Sequence, residues 1–164
     1  MNWILDANTI IYIVKAGLDD IFMKMVVGKS KIDTSVYNEV VEKGEELEYD
    51  DALIAKRILQ KYQIPIIPVD ISEKLSIFRD PGETSCHLLT DKEDICISSD
   101  KRAIQKLKNH KTNVVRLDEF FLFQAMQNSI SKKKFFACLE KLERVYATTA
   151  ERKVTLIKEF EKNE

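Results

Sequence analysis

The chain has 164 residues, of which 45% are hydrophobic and 32% charged, and its formal net charge at pH 7 is −1. These values predict one globular domain with a buried core, and they exclude the strongly basic surface of a protein that coats nucleic acid. No apolar segment approaches the roughly 20 residues that cross a bilayer, and the N-terminus lacks the features of a secretion signal. Three scattered cysteines and two histidines argue against a disulfide framework or a structural zinc site. We therefore expect a cytoplasmic protein with no membrane partner.

Five short segments rich in apolar and branched side chains predict β-strands that are buried on both faces. They cover residues 3–5, 31–34, 65–69, 95–98 and 113–117. The two prolines of the third segment favour an edge position for that strand, because proline cannot donate to a central ladder.

Helical patterns separate these strands. The predicted helices cover residues 10–27 with a break near Gly17, 35–43 with an end at Gly44, 50–62, 71–78, 82–89, 101–107 and 118–126. Alternation of strands and helices predicts an α/β fold with a parallel sheet. The highly charged segment 131–164 predicts two further helices, so we expect one domain with a helical C-terminal extension.

Two aspartates directly follow predicted strands: Asp6 follows the first strand and Asp100 the fourth. In an open parallel sheet, sites form at the carboxyl ends of the strands, near the point where strand order reverses. Either acid alone is best explained as a helix N-cap, whose side-chain oxygen accepts from exposed backbone N–H groups. Two such acids on strands that could be neighbours are also candidates for a charged site.

Two glutamates are further candidates. Glu39 lies on a helix that follows the second strand, where periodicity alone favours a solvated position. Glu83 lies in the first turn of a mostly apolar helix, where the helix dipole favours an acid. If both glutamates converge with Asp6 and Asp100, the four carboxylates repel one another unless a cation neutralises them. Mg²⁺ or Mn²⁺ matches such oxygen ligands, and the group would then serve metal-assisted hydrolysis of a phosphodiester.

Four segments together resemble the PIN-domain family in their order and spacing: ILDANTII, TSVYNEV, DPGE and CISSDKRA. The family's signature of aspartate, any residue, then Asn, Ser or Thr matches Asp6 and Asn8. Its helix-borne glutamate matches Glu39. The resemblance covers roughly residues 1–128.

The other two motifs of the family lie further along the chain. Its acid at the start of the helix before the fourth strand matches Glu83. Its strand-ending motif of Ser or Thr, any residue, then aspartate matches Ser98 and Asp100. Where the family often carries a further acid, this chain has Lys101 and Arg102. These cations could contact RNA phosphate, although solvated Lys and Arg on a helix are the commoner arrangement.

The resemblance implies a three-layer α/β/α sandwich with a parallel five-stranded sheet in the order 3-2-1-4-5. The first and fourth strands would then lie side by side. It also implies a nuclease domain over residues 1–128, with the extension 129–164 packed on it or projecting from it. The implied activity is that of a ribonuclease dependent on Mg²⁺ or Mn²⁺. Many small members are toxins inhibited by a partner antitoxin protein.

In that hypothesis Asp6, Glu39, Glu83 and Asp100 bind the metal and are catalytic. Asn8 and Ser98 orient ligands or water, and Lys101 or Arg102 holds the scissile phosphate. One alternative is a PIN-like module that binds RNA or a protein without turnover. A second is a phosphotransferase of the haloacid-dehalogenase type, which is disfavoured because position 8 is Asn and lacks the second aspartate of that motif.

Three other features allow more than one interpretation. The basic run at 132–134 beside Phe135 and Phe136 could bind single-stranded RNA by charge and stacking, but packed phenylalanines and solvated lysines are the commoner arrangement. His87 lies one helical turn after Glu83 and could reach the metal, although a structural role is commoner. The aliphatic segment 10–14 suits either the core or a homodimer face.

Overall fold

The computed structural model describes residues 1–74 and 78–163. Its five strands form one parallel sheet in the order β3-β2-β1-β4-β5. They are β1 (Trp3–Leu5), β2 (Ser30–Asp33), β3 (Ile66–Ile67), β4 (Ile95–Ser98) and β5 (Val114–Arg116). The expected α/β class, the parallel sheet and the edge position of the third strand are confirmed.

Helices connect and follow the strands. They are α1 (Ala7–Lys15), α2 (Asp19–Val26), α3 (Thr34–Tyr37), α4 (Lys43–Glu46), α5 (Asp50–Lys61), α6 (Pro81–Leu89), α7 (Lys101–Asn109), α8 (Leu117–Met126), α9 (Lys132–Arg144) and α10 (Ala150–Asn163). A π-helical segment, Asn38–Glu42, joins α3 to α4. The break near Gly17 and the two C-terminal helices agree with the sequence-based expectation.

One predicted helix ends at a different residue in the structure, and another falls partly outside the described residues. The helix predicted to end at Gly44 continues to Glu46. Gly44 lies inside it because a Cβ there would stand 2.6 Å from the Cβ of Ala52, so close packing against α5 and not a chain reversal requires glycine. The helix predicted over 71–78 falls partly on residues 75–77, which lie outside the described residues; 72–74 form a turn.

Helices cover both faces of the sheet. On one face, Trp3 of β1 packs edge-on against Phe120 of α8, with ring centroids 5.0 Å apart. Ile4 points to the opposite face because side chains alternate along a strand. Its register partner on β4, Cys96, meets Cys86 of α6 there. All three residues of β1 are buried, as expected for a central parallel strand.

The C-terminal helices share the hydrophobic core of the rest of the chain. Phe135, Leu139 and Phe160 are buried in that core, and the rings of Phe135 and Phe160 lie 5.4 Å apart. The interpretation that the phenylalanines beside the basic run pack inward is therefore confirmed. No helix within the described residues is both long and apolar enough to span a membrane.

One buried carboxylate ties the last helix to α8. The side chain of Asp118 is inaccessible to solvent and accepts hydrogen bonds from Thr148 Oγ1 at 2.6 Å and Arg152 Nε at 3.0 Å. Burial by itself would raise the pKa of this carboxyl group. The hydrogen bonds from Arg152 and Thr148, with the charges of Arg116 and Arg152, instead hold the pKa of Asp118 below its usual value.

We predict that Arg152→Met lowers the free energy of unfolding by about 2–4 kcal/mol at neutral pH, because it leaves a buried charge poorly compensated. Because the folded pKa of Asp118 is lowered, this contribution is present at neutral pH and is lost as the pH falls through that pKa. Urea denaturation at neutral and acidic pH measures both effects. The matched control is Lys24→Met, which breaks an exposed pair with Asp20 and should lower the free energy of unfolding far less, because water screens an exposed pair. Equal losses in the two variants would contradict the anchoring role.

Candidate functional site

Three aspartates end adjacent strands at the carboxyl edge of the sheet. Asp6 follows β1, Asp33 is the last residue of β2 and Asp100 lies two residues after β4. Each also caps a helix: the carboxylate of Asp6 accepts from Thr9 N at 2.7 Å, and that of Asp100 from Arg102 N at 2.7 Å. The capping interpretation is therefore confirmed for Asp6 and Asp100, and the strand order places the ends of β1 and β4 side by side.

Asp6 and Asp100 form a pair across the junction of β1 and β4. The register pairs Leu5 with Ile97, which brings the ends of both strands together. Ser98 is fully buried between them; it hydrogen-bonds the side chain of Asp6, and its Oγ accepts from Asp100 N at 3.2 Å. Burial raises the pKa of Asp6 to about 6, and the charge of Asp100 adds to this effect. Hydrogen bonds from Ser98 and Thr9 offset it only in part.

Glu39 lies in a second acidic pair, with Asp80. A Cβ on Gly82 would stand 3.6 Å from Glu39 Oε2 and 3.3 Å from Asp80 Oδ1, which locates both carboxylates at the start of α6. Partial desolvation raises the pKa of Glu39 and the charge of Asp80 adds to it, while Lys43 opposes it. Glu39 remains exposed, as its helical periodicity predicts, at the edge of a cleft.

The cleft beside this pair has a volume of about 1000 Å³ and lies between α1, α4, α5 and the start of α6. Glu39 and Asp80 contribute negative charge to its wall, and Lys15 and Lys43 contribute positive charge. Tyr49, which is 60% exposed, lies at the same wall. Asp6 and Asp100 are not among its lining residues, so the cleft does not contain the strand-end pair.

Glu83 is neutralised by a lysine. Its Oε2 lies 2.7 Å from Nζ of Lys106 on α7, and the same ammonium group is 3.5 Å from the carbonyl oxygen of Phe78. The side chain of Glu83 is only 17% exposed, whereas that of Lys106 is 47% exposed. This pairing gives Glu83 a cation from the chain itself.

The four predicted metal ligands therefore do not form one group. Asp6 lies beside Asp100, Glu39 lies beside Asp80, and Glu83 is paired with Lys106. Across residues 1–74 and 78–163, no three His, Cys, Asp or Glu side chains are grouped closely enough to hold one metal ion.

The remaining predicted residues are placed as follows. Asn8 is partly exposed in the first turn of α1, while Lys101 and Arg102 are exposed in the first turn of α7. His87 donates to or accepts from Thr112 Oγ1 at 2.6 Å and packs against Phe78 with ring centroids 5.1 Å apart. Partial burial, together with the charges of His110 and Lys74, lowers the pKa of His87. These contacts agree with the structural interpretation of this histidine.

Sequence reasoning missed Asp33. This residue is 3% exposed, and its carboxylate accepts from the backbone N–H groups of Ser35 at 2.6 Å and Val69 at 3.1 Å. The Oγ of Ser35 lies 3.1 Å from that of Ser85 on α6, so the end of β2 is tied to the helix that carries Glu83. The signal was present, because Asp33 ends its strand as Asp6 does, but the predicted strand ran to Thr34 and placed Asp33 inside it.

Known proteins provide no assignment beyond this geometry. No protein-family model, curated protein or solved structure matches the chain. What the protein does must therefore be inferred from the chemistry of its own side chains. The most unusual of these is the half-buried Asp6, whose carboxylate ionises beside a second acid.

We predict that Asp6→Asn stabilises the protein at neutral pH in the absence of divalent ions. The folded pKa of about 6 lies above the usual value of 3.8, so the folded state retains a proton that the unfolded chain has released. The wild-type protein therefore loses stability as the pH rises to the folded pKa, whereas Asn keeps the cap and does not ionise. The variant should gain about 2 kcal/mol relative to wild type between about pH 4.5 and pH 7.5.

Chemical denaturation in a chelator at both pH values measures this gain. Asp118→Asn provides the control: the pKa of Asp118 is lowered from the usual 3.8, so its contribution changes with pH only at and below that value, and the difference in stability between this variant and wild type should stay nearly constant between the two pH values. A difference between wild type and Asp6→Asn that does not change with pH would contradict the raised pKa.

Proposed function

We propose that this protein is a PIN-like ribonuclease that depends on Mg²⁺ or Mn²⁺ and hydrolyses RNA phosphodiester bonds. The observation that carries the proposal is the Asp6–Asp100 pair at the adjoining ends of β1 and β4, where Asp6 has a pKa of about 6. Two carboxylates held together at a desolvated edge of the sheet repel each other when both are ionised. A cation between them relieves that repulsion. The strand order, which agrees with the one implied by the PIN resemblance, adds support.

The donor chemistry at this edge fits a hard divalent ion. Mg²⁺ commonly binds through one or two carboxylates, keeps several waters, and uses substrate phosphate as a further ligand. Asp6 and Asp100 supply the two carboxylates, so a third acid is not required. Ser99, which lies between Ser98 and Asp100 in the chain, has a buried Oγ without a hydrogen-bond partner among the described residues, and thus adds an unused oxygen to this edge.

Several residues of the chain would have separate roles in binding the ion and the RNA. Asp6 and Asp100 would hold the ion, and Ser98 would fix the orientation of the Asp6 carboxylate by hydrogen bonding. Lys101 and Arg102 extend from the first turn of α7, directly after Asp100, and hold the scissile phosphate. The ion supplies Lewis-acid chemistry when bound: it neutralises charge developing on phosphodiester oxygens and makes an attacking water more acidic.

Glu39 and Asn8 would assist the Asp6–Asp100 pair. Glu39 lies at the cleft, where partial desolvation raises its pKa, and we assign it a role in proton exchange. Asn8 orients water or ligands from the first turn of α1. In the proposed organisation, residues 1–128 carry the chemistry and residues 129–164 complete the core beneath it.

We predict that Asp6→Asn and Asp100→Asn each reduce Mn²⁺-dependent RNA cleavage by at least about 100-fold while the fold is retained, because Asn keeps each helix cap but removes the anionic ligand. Cleavage of a labelled single-stranded RNA measures the activity, and circular dichroism checks the fold. Asp91→Asn, a substitution on an exposed loop, is the matched control and should retain full activity. Undiminished cleavage by both site variants would contradict the ribonuclease proposal.

Metal affinity tests the position of Glu83 separately. If Glu83 turns toward the ion when the metal binds, it must leave Lys106, so Lys106→Met should raise Mn²⁺ affinity severalfold and Glu83→Gln should lower it. Titration calorimetry measures both affinities without reference to activity. If neither variant changes the affinity, Glu83 serves only its ion pair and is not a metal ligand.

A second candidate function is an RNA-binding module without turnover. It is favoured by the capture of Glu83 by Lys106 and by the absence of any group of three acids or other metal-ligating side chains in the described parts of the chain. The same cleavage assay separates the two functions. RNA bound by the wild-type protein but left intact in saturating Mg²⁺ and Mn²⁺ would favour the module.

A further inference from the structure

The segment that begins with α7 is strongly basic. Residues 101–113, KRAIQKLKNHKTN, contain five lysines and arginines and one histidine but no acid, in a chain whose net charge is −1. The apolar side of α7 is buried through Ala103, Ile104 and Leu107. The cationic side chains therefore lie on the solvent side of the helix.

Most of these cations are not neutralised by neighbouring acids. Lys106 pairs with Glu83, but Lys101, Arg102, Lys108 and Lys111 make no ion pair with any residue that the structure describes. Some lysines on other helices are paired: Lys24, Lys56 and Lys153 each lie within 2.8 Å of a carboxylate oxygen. Lys133 and Lys134 of α9 are exposed and make no ion pair with a described residue. Residues 101–113 thus carry four cations without an ion pair among the described residues, and no acid lies between them in the sequence.

Lys101 and Arg102 lie at a helix N-terminus, where the helix dipole disfavours cations. The N-terminus of a helix carries partial positive charge, which favours acids and disfavours Lys or Arg in the first turn. Helix α5 follows this rule with Asp50 and Asp51, whereas α7 opens with Lys101 and Arg102 and has no acid in its first turn. An anionic ligand at this end of α7 would turn that repulsion into attraction.

The spacing of the side chains forms a continuous stripe. Lys101, Gln105 and Lys108 are separated by four and three residues, which places them on one face of the helix over about 10 Å. Lys111 follows in the turn after the helix. His110 is exposed at the same end and its ring lies 4.8 Å from that of Phe78. We define the α7 stripe as Lys101, Gln105, Lys108, His110 and Lys111.

We propose that the α7 stripe binds single-stranded RNA and leads it to the Asp6–Asp100 pair. The stripe starts one residue after Asp100, so a strand whose phosphate lies at the pair would extend along the stripe for a few nucleotides. Lysines contact successive phosphates, the amide of Gln105 can hydrogen-bond sugar or base, and the exposed His110 ring offers a stacking surface. The cleavage role of this strand rests on the proposed function, but its binding does not.

RNA binding in a chelator tests the stripe without cleavage. Fluorescence anisotropy of a labelled single-stranded RNA of about 12 nucleotides would be measured with the full chain over a series of salt concentrations. The test variant is Lys108→Gln with Lys111→Gln, both distant from the acid pair. Its Kd should rise on the order of tenfold at about 0.1 M salt, and the slope of log Kd against log salt should fall by about 1.4, because each phosphate contact to a single strand contributes about 0.7.

The matched control is Lys133→Gln with Lys134→Gln, two exposed lysines on α9. This variant changes net charge equally, so an equal loss of affinity would overturn the stripe as a localised site. Unchanged binding by the Lys108 and Lys111 variant, or no binding by wild type, would also overturn it. Competition by a poly-glutamate peptide as strong as that by RNA would indicate an acidic protein partner instead.

Failure of the stripe and failure of the ribonuclease proposal give different results. If RNA binds through the stripe and no Mn²⁺-dependent cleavage follows, the stripe stands and the catalytic proposal falls. If cleavage occurs but the Lys108 and Lys111 variant binds as wild type does, the catalytic proposal stands and the stripe is wrong.

Discussion

Parallel pairing of β1 with β4 is the constraint on which the rest of this structure depends. The chain leaves β1 toward β2 and β3 on one side of the sheet, and it returns to place β4 and β5 on the other. The register of the two central strands then fixes where both end, with Leu5 opposite Ile97. Asp6 and Asp100 meet because the backbone ladder brings them together, and each is held there by capping the helix that follows.

Ionisation of Asp6 at this position destabilises the folded state, and interactions elsewhere in the molecule offset this loss of stability. Desolvation and the neighbouring charge make ionisation of Asp6 unfavourable, as its pKa of about 6 reflects. Strain of this kind is typical of functional sites and needs a stable scaffold to maintain it. Here the scaffold includes the C-terminal helices, whose Phe135 and Phe160 enter the common core and whose Arg152 neutralises buried Asp118.

Much of this arrangement could be predicted from the sequence because it follows from local patterns. Branched apolar segments locate the strands, and a strand-ending acid before a helix predicts a helix cap. What could not be predicted depends on contacts between segments distant in the chain. Glu83 and Lys106 lie 23 positions apart, and no local pattern pairs them. Gly44 resembles a helix end, yet the close approach of Ala52 is what excludes a side chain there.

The central claim is that Asp6 and Asp100 hold one divalent ion between the ends of β1 and β4. Anomalous diffraction from crystals soaked in saturating Mn²⁺ tests it most directly, since the signal locates the ion without reference to activity. We expect a peak about 2.1 Å from a carboxylate oxygen of each aspartate, as hard octahedral coordination requires. A fully soaked crystal without a peak there, or with one only between Glu39 and Asp80, would contradict the claim.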